Sequence, residues 1–366
     1  MYSFGIEEEF FLVDATSREA ARKSPERMFA DAKRLSGGRI GREFLEAQIE
    51  VASRPCENLD DMRAQVHELR GMVKTMAERH GLSFLACGTH PTALWRGSVQ
   101  SKKRRYDAIM GDLQMIGKRN MFCGMHVHVE LPEPSRRLEI MCAMIPYVPL
   151  FLALSTSSPF WQSQPTGLKS YRLAAYDELP RTGLPEAICT QSDYDAYIRA
   201  MTKAGAIEDA SHIWWSLRPS LKYPTLELRA ADCCTRVEDT LAIAALYRVL
   251  VRYLFERSPF SGIDPVARAI ASENLWRAKR HGVRAAFITG AGAVPVPEFL
   301  DHVVEMIAED AEVLDSAAAV ARCKAIASEG TSADAQIAIF DAHLPEGEAR
   351  AFAEVVDWID RTTSAV

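Results

Sequence analysis

The sequence has no glycine-rich phosphate cradle: its 366 residues contain neither a GxxxxGK[ST] run nor a GxGxxG that follows an extended segment. A bound nucleotide would therefore be held through metal ions and arginines rather than by a loop of backbone N–H groups. There is no CxxC pair among the eight cysteines, which scatter from Cys56 to Cys323 with only Cys233 and Cys234 adjacent. That scatter argues against a disulfide framework and for reduced thiols packed as small apolar residues. Positive charge is in deficit as well. A net charge of −6 argues against a nucleic-acid-binding surface as the main business of the chain. The one basic run, Lys102-Lys103-Arg104-Arg105, reads first as a solvated helix face and second as a phosphate contact. No internal repeat, low-complexity segment or linker is present.

A long apolar run is also missing. The longest, around Ile140 to Leu154, is interrupted by Pro146 and Pro149 and is short for a bilayer span. Residues Met1 to Gly5 carry no basic stretch followed by an apolar one, so no signal peptide, no membrane partner and a cytoplasmic location are expected. What is present is ordinary for a globular protein, 48% hydrophobic and 25% charged residues. The length is ample for a full core. The expectation is one domain over 1–366, with an α+β core in 1–285 and a helical part in 286–366.

Apolar residues at three- and four-residue steps predict a helix over Asn58 to Gly81, on the stripe Leu59, Met62, Val66, Leu69, Val73 and Met76. Glu238 to Arg257 and Glu298 to Ala327 read as two further helical stretches, their stripes taken as core packing. Extended segments are expected at Gly5–Val13, Leu45–Ala52, Ser83–Gly88, Phe122–Leu131, His212–Arg218 and Thr225–Ala231.

The polar faces of those strands are unusual because they concentrate Glu, His and Arg. On the first strand, Glu7 and Glu9 share one face, opposite Ile6, Phe10 and Leu12. Two carboxylates side by side repel unless a cation or basic partners hold them; the plainer reading is an exposed acidic edge. On the second, Glu46, Gln48 and Glu50 lie opposite Leu45, Ala47, Ile49 and Val51, with Glu43 just upstream. On the third, His126, His128 and Glu130 share a face, a set that favours a metal or phosphate site over core histidines. A short connection at Ser220–Pro224 predicts a hairpin, in which Glu227 and Arg229 share a face as an ion pair or as a metal ligand beside a phosphate clamp. Carboxylates on three strands with a histidine on a fourth describe an oxygen-rich site, and hard oxygen ligands select Mg²⁺ or Mn²⁺ over zinc.

Taken in order, Gly5-Ile6-Glu7-Glu8-Glu9-Phe10, the Glu46–Glu50 strand, Cys123-Gly124-Met125-His126-Val127-His128, Ser157-Ser158-Pro159-Phe160-Trp161, Ser170-Tyr171-Arg172, Trp214-Trp215, Arg218-Pro219, Thr225-Leu226-Glu227-Leu228-Arg229 and Asp232 form a recognisable set. It resembles the type 2 glutamate–cysteine ligase-like family, also called the carboxylate–amine ligase YbdK family, from about residue 4 to 255. The resemblance implies a fold related to glutamine synthetase and guanido kinases: a curved, mainly antiparallel sheet with helices on its outer face. It also implies an ATP- and Mg²⁺-dependent (or Mn²⁺-dependent) ligase that joins glutamate to cysteine or another amine through a γ-glutamyl phosphate. A homodimer is the assembly to test. Carried over by position, Glu7, Glu9, Glu43, Glu50, His126 and Glu227 are metal or metal–nucleotide ligands. Arg229 and Glu227 hold the nucleotide, Arg229 and Glu50 are catalytic, and Arg172 and Arg218 hold substrate carboxylates. Two departures fall near the implied substrate pocket: Ser216 stands where the family pattern has an aspartate, and Lys222-Tyr223-Pro224 replaces a short glycine-containing turn.

Two other readings compete. His126-Val127-His128 followed by Glu133 has the spacing of a cupin-type transition-metal site, although Asn120 and Ile140 stand where that pattern has glycines. A ligase-like fold that only binds nucleotide or a partner is the second.

Overall fold

The computed structural model describes residues 2–101, 104–257 and 262–365, built around a seven-stranded sheet. Its strands are β1 (Phe4–Asp14), β2 (Ile40–Arg42), β3 (Gln48–Ala52), β4 (Leu82–Leu85), β5 (Met125–Glu130), β6 (Leu217–Pro219) and β7 (Thr225–Leu228). Six of them run in the order β2-β3-β1-β5-β7-β6 and β4 joins beside β1, with every pairing antiparallel. The length of β1 lets it serve two partners along one edge. Its Phe4–Glu8 half pairs with β5 and its Phe11–Asp14 half with β4.

Alternation along these strands sorts the side chains. Ile6, Ile49, Val51, Met125, Val127, Val129, Leu226 and Leu228 are all buried. Most of them pack with the helices Leu59–Glu78, Arg137–Met144, Val148–Ser155 and Val237–Arg257 in one core cluster. The first of these helices starts where expected because the Asn58 side chain accepts a hydrogen bond from the Asp61 N–H at 2.8 Å. It buries Met62, Val66, Leu69, Val73 and Met76. Burying each such side chain contributes about 1.5–3 kcal/mol. The apolar stretch Pro134–Ser155 is long and apolar enough to cross a membrane, yet 78% of its most apolar window is buried within the fold. Pro146 and Pro149 each sit in the first turn of a new helical segment, where a missing N–H does no harm.

Several expectations need correction. The part expected to be helical from 286 opens with a hairpin, Ala286–Thr289 against Gly292–Pro295; helix begins at Val296. The stretch from Glu298 to Ala327 is three helices, Val296–Met306, Ala308–Val313 and Ala317–Glu329, the last two separated where Asp315 adopts a φ of 48°. The strand expected from Leu45 starts at Gln48, because Glu46 and Ala47 form a turn. The strand expected from His212 is confined to Leu217–Pro219; ahead of it lies a 3₁₀ turn at Ala210–His212, and Trp215 is buried in a stack on Tyr197 with ring centroids 5.8 Å apart. Not all the cysteines are reduced: Cys142 and Cys189 are disulfide-bonded, their Cα atoms 5.7 Å apart, while the other six are buried thiols. Lys102 and Lys103 lie outside the described residues, and with them the reading of the basic run at 102–105.

Candidate active site

Strand register brings the expected acids together. Opposite residues of an antiparallel pair point to the same face. Glu7 stands opposite His126, Glu9 opposite Glu50, and Glu227 opposite both His128 and Arg218. Glu7, Glu9, Glu50, His126, His128, Arg218 and Glu227 therefore share the face that the four helices leave uncovered. Glu9, Glu43, Glu50, His126, Arg172, Arg218 and Arg229 all line one cavity of about 360 Å³. Its other walls are largely aromatic and apolar, among them Phe44, Tyr106, Phe122, Tyr176 and Trp214. A larger cavity of about 810 Å³, lined by Arg63, Arg236 and Arg322 among others, shares none of these residues.

The charges are closely coupled. His126 Nδ1 lies 3.4 Å from Glu7 Oε2 and its Nε2 4.0 Å from Glu9 Oε1, while His128 Nε2 lies 3.6 Å from Glu7 Oε1. Burial pushes the Glu7 carboxyl up, but hydrogen bonding to His126 and His128 outweighs it and holds the group well below the usual carboxylate range. Glu9 goes the other way. Burial, joined by the nearby Glu43 charge, pushes it up to about 7, against the opposing pull of Arg172 and a 2.6 Å hydrogen bond donated by Gly124 N–H. Burial, with Arg229 adding to it, lowers His126 to about 4. Glu7, His126 and Glu227 each place a ligand atom within 4.8 Å of the others, a spacing one cation can bridge. The oxygen-rich donor set fits a hard divalent ion.

The arginines divide their work. Arg218 donates to both Glu227 oxygens, at 2.8 and 3.1 Å, and to the backbone carbonyls of Ser211 and Ile213. Arg229 also bonds Glu227, which keeps that buried carboxyl well below its ordinary value despite desolvation. Arg172 differs: its nearest protein acceptors are carbonyls at 3.5 Å and the Asp232 carboxylate at 3.7 Å. Its Nε and that of Arg229 are buried and find no hydrogen-bond partner among the described residues. Of the two arginines expected to hold carboxylates, Arg218 is thus engaged within the protein, and Arg172 retains free donor capacity.

The sequence matches the model of the family described as Glutamate-cysteine ligase family 2 over residues 3–354. The chain belongs to this family. Its members are ATP-dependent carbon–nitrogen ligases. A protein of Bradyrhizobium sp. (strain ORS 278) named "Putative glutamate--cysteine ligase 2" is 50% identical over 363 residues, covering 99% of this chain and 88% of that one. A protein of the same name from Rhodospirillum rubrum is 39% identical over 373 residues, covering 100% and 96%. Among solved structures, the glutamate–cysteine ligase of Francisella tularensis in complex with AMP superposes with a TM-score of 0.76 at 13% identity, covering 100% of this chain and 88% of that one. A bifunctional glutathione synthetase from Pasteurella multocida gives 0.65 at 14% identity, over 99% and 52%. At such identities the likeness is one of fold, and it agrees with the expected α+β class.

Membership of glutamate–cysteine ligase family 2 removes the cupin reading, and the structure gives the physical reason. Glu133 is exposed beyond the end of β5 and does not join His126 and His128. Glu7, His128 and Glu227 lie on the same sheet face without lining the cavity itself, and three further residues of the polar strand faces are engaged elsewhere. Glu46 turns away to bond Arg42 at 2.6 Å, and Gln48 donates to the Phe122 carbonyl at 2.7 Å. Glu130 accepts from Ser3 at 2.5 Å. Tyr176 was missed. Its hydroxyl is 3.5 Å from Arg229, and it follows Arg172 by one helical turn in Tyr171–Tyr176, a spacing that could have flagged it.

Proposed function

We propose that this chain phosphorylates the side-chain carboxylate of glutamate with ATP and couples the resulting γ-glutamyl phosphate to cysteine, releasing ADP and phosphate. The observation that carries the reading is the convergence of Glu7, Glu9, Glu50, His126 and Glu227 on one sheet face beside Arg172 and Arg229. Glu7, His126 and Glu227, with Glu9, Glu43 and Glu50 around the cavity, would hold Mg²⁺. When bound, Mg²⁺ supplies charge neutralisation for the nucleotide phosphates. Arg229, buried and kept charged by Glu227, faces the phosphoryl group in transfer. Arg172 holds the α-carboxylate of glutamate through its free donors. The γ-carboxylate oxygen attacks the terminal phosphorus and the bond to ADP breaks. The amine nitrogen then bonds the acyl carbon and gives up a proton to solvent, the acyl carbon–oxygen bond breaks, and phosphate leaves with the former carboxylate oxygen. The aromatic walls, Trp214 and Tyr106 among them, shield the acyl phosphate from water.

The test is a phosphate-release screen over pairs of amino acids with Mg²⁺-ATP, with products read by mass. A product equal to glutamate plus cysteine less one water supports the reading. ATP-dependent coupling of another pair keeps the ligase and replaces the substrates, and no coupling with any pair supports a silent nucleotide-binding protein.

A further inference from the structure

The most specific piece of unexplained geometry on the acid-bearing face is the seat of Arg172. Gly124 lies just ahead of β5, bridged to Asp232, with its N–H donating to Glu9. A Cβ built on Gly124 would fall 2.7 Å from Arg172 Cζ, and the nearest heavy atoms it would meet all belong to the Arg172 guanidinium. The guanidinium thus occupies the space that a side chain at 124 would fill. Its other side is set by Asp232, which is fully buried. Asp232 accepts from Ser157 N–H at 3.0 Å, Ser158 Oγ at 2.7 Å and Ser170 Oγ at 2.9 Å, and Arg172 Nη1 stands 3.7 Å from its Oδ1. Ser170 also caps the helix that carries Arg172, and Ser158 Oγ accepts the Arg172 N–H at 3.1 Å. One carboxylate therefore fixes both the helix start and the charge at its second residue.

We propose that Gly124 is a positioning residue for substrate recognition: the space above its Cα seats the Arg172 guanidinium, and the Asp232 cage holds it there to receive the acid substrate's carboxylate. The proposal rests on the reading of Arg172 as the carboxylate anchor. Gly124 touches no substrate itself. Because the obstruction falls on the far end of a flexible side chain rather than on backbone, Gly124→Ala should fold and move the guanidinium out of place.

The test is steady-state phosphate release with Mg²⁺-ATP, cysteine and varied glutamate, or whichever acid the wild type turns over. Gly124→Ala is expected to raise the KM for the acid at least tenfold, while kcat stays within about threefold and the KM for ATP within about twofold. Arg172→Lys, whose ammonium lacks the planar fork, should raise the same KM. Adding Gly124→Ala to Arg172→Lys should change it less than about twofold, because the group obstructed has already gone. Multiplicative effects in the double variant, or an unchanged KM in Gly124→Ala, overturn the proposal. So does failure of Gly124→Ala to melt cooperatively, since the backbone would then be what the Cβ meets. An unchanged acid KM in Arg172→Lys overturns instead the reading of Arg172 as anchor, and this proposal with it. Absence of turnover in the wild type overturns the ligase reading itself.

Discussion

Two carboxylates on the same strand face, Glu7 and Glu9, are driven in opposite directions by their surroundings. Glu7 has two histidines as partners and stays charged, whereas Glu9 is largely desolvated beside Glu43 and rises to about 7. The pH consequence for the metal-free protein follows by linkage. Between the ordinary carboxylate value of 4.5 and about 7, Glu9 holds a proton in the folded chain that it has lost in the unfolded one. Its contribution to stability is therefore present at low pH and lost as pH rises through that window. His126, lowered from 6.5 to about 4, has the opposite sign, so that stability is gained as pH rises. Glu9→Gln removes the first effect and leaves the second. In EDTA, urea unfolding should show the variant gaining on the wild type from pH 5 to pH 7.5, and a difference that does not change with pH would contradict the assignment. The pairing of Glu7 with Glu9 was legible in the sequence because side chains alternate along a strand. Their divergence was not, because it depends on His126, His128 and Glu43, which the fold brings from elsewhere.

At the scale of elements, β1 is pinned from behind by the third acid of its motif. Glu8 points away from the cavity and is 1% exposed, with Arg70 of the helix Leu59–Glu78 donating to both its oxygens, at 2.5 and 3.0 Å. Arg70 also donates to the carbonyls of Cys234 and Thr235, tying the helix to the chain beyond β7. Removing one partner of such a buried pair strands the other charge. Arg70→Met should lose about 3–5 kcal/mol of unfolding free energy. Glu8→Leu combined with Arg70→Met should recover at least half of that loss, as measured by urea unfolding. Equal losses in the single and double variants would show that the carbonyl bonds, not the ion pair, dominate. The periodicity of Leu59–Glu78 gave its buried stripe correctly but passed over Arg70 between Leu69 and Val73. A charge that belongs to the core is invisible until its partner, 62 residues away in the chain, is known. The short strand β2, the turn at Glu46 and the hairpin Ala286–Pro295 were equally hidden. Each is a matter of pairing and backbone geometry, whereas the strands seen in advance announced themselves by composition.

Across the fold, the site is assembled from segments spread between Glu7 and Arg229, and the sheet gives most of them a common frame. One wall comes from the chain between Tyr176 and Trp214, and the Cys142–Cys189 bond fastens this stretch to the core helix Arg137–Met144. Closing a loop with a sequence separation of 47 residues should add about 2–4 kcal/mol, chiefly by restricting the unfolded chain. Reductant should lower the unfolding free energy of the wild type by that amount and leave Cys142→Ala unaffected; an equal effect on both would place the redox-sensitive group elsewhere. On the proposed reading, the acid-bearing face activates a carboxylate by phosphoryl transfer. This step is tested most directly with glutamate carrying ¹⁸O in its γ-carboxylate, turned over with Mg²⁺-ATP and cysteine, the phosphorus products then being read by mass. The products expected are ADP and an inorganic phosphate that carries one ¹⁸O from the carboxylate. Label recovered in AMP, or phosphate released with no label, would contradict it.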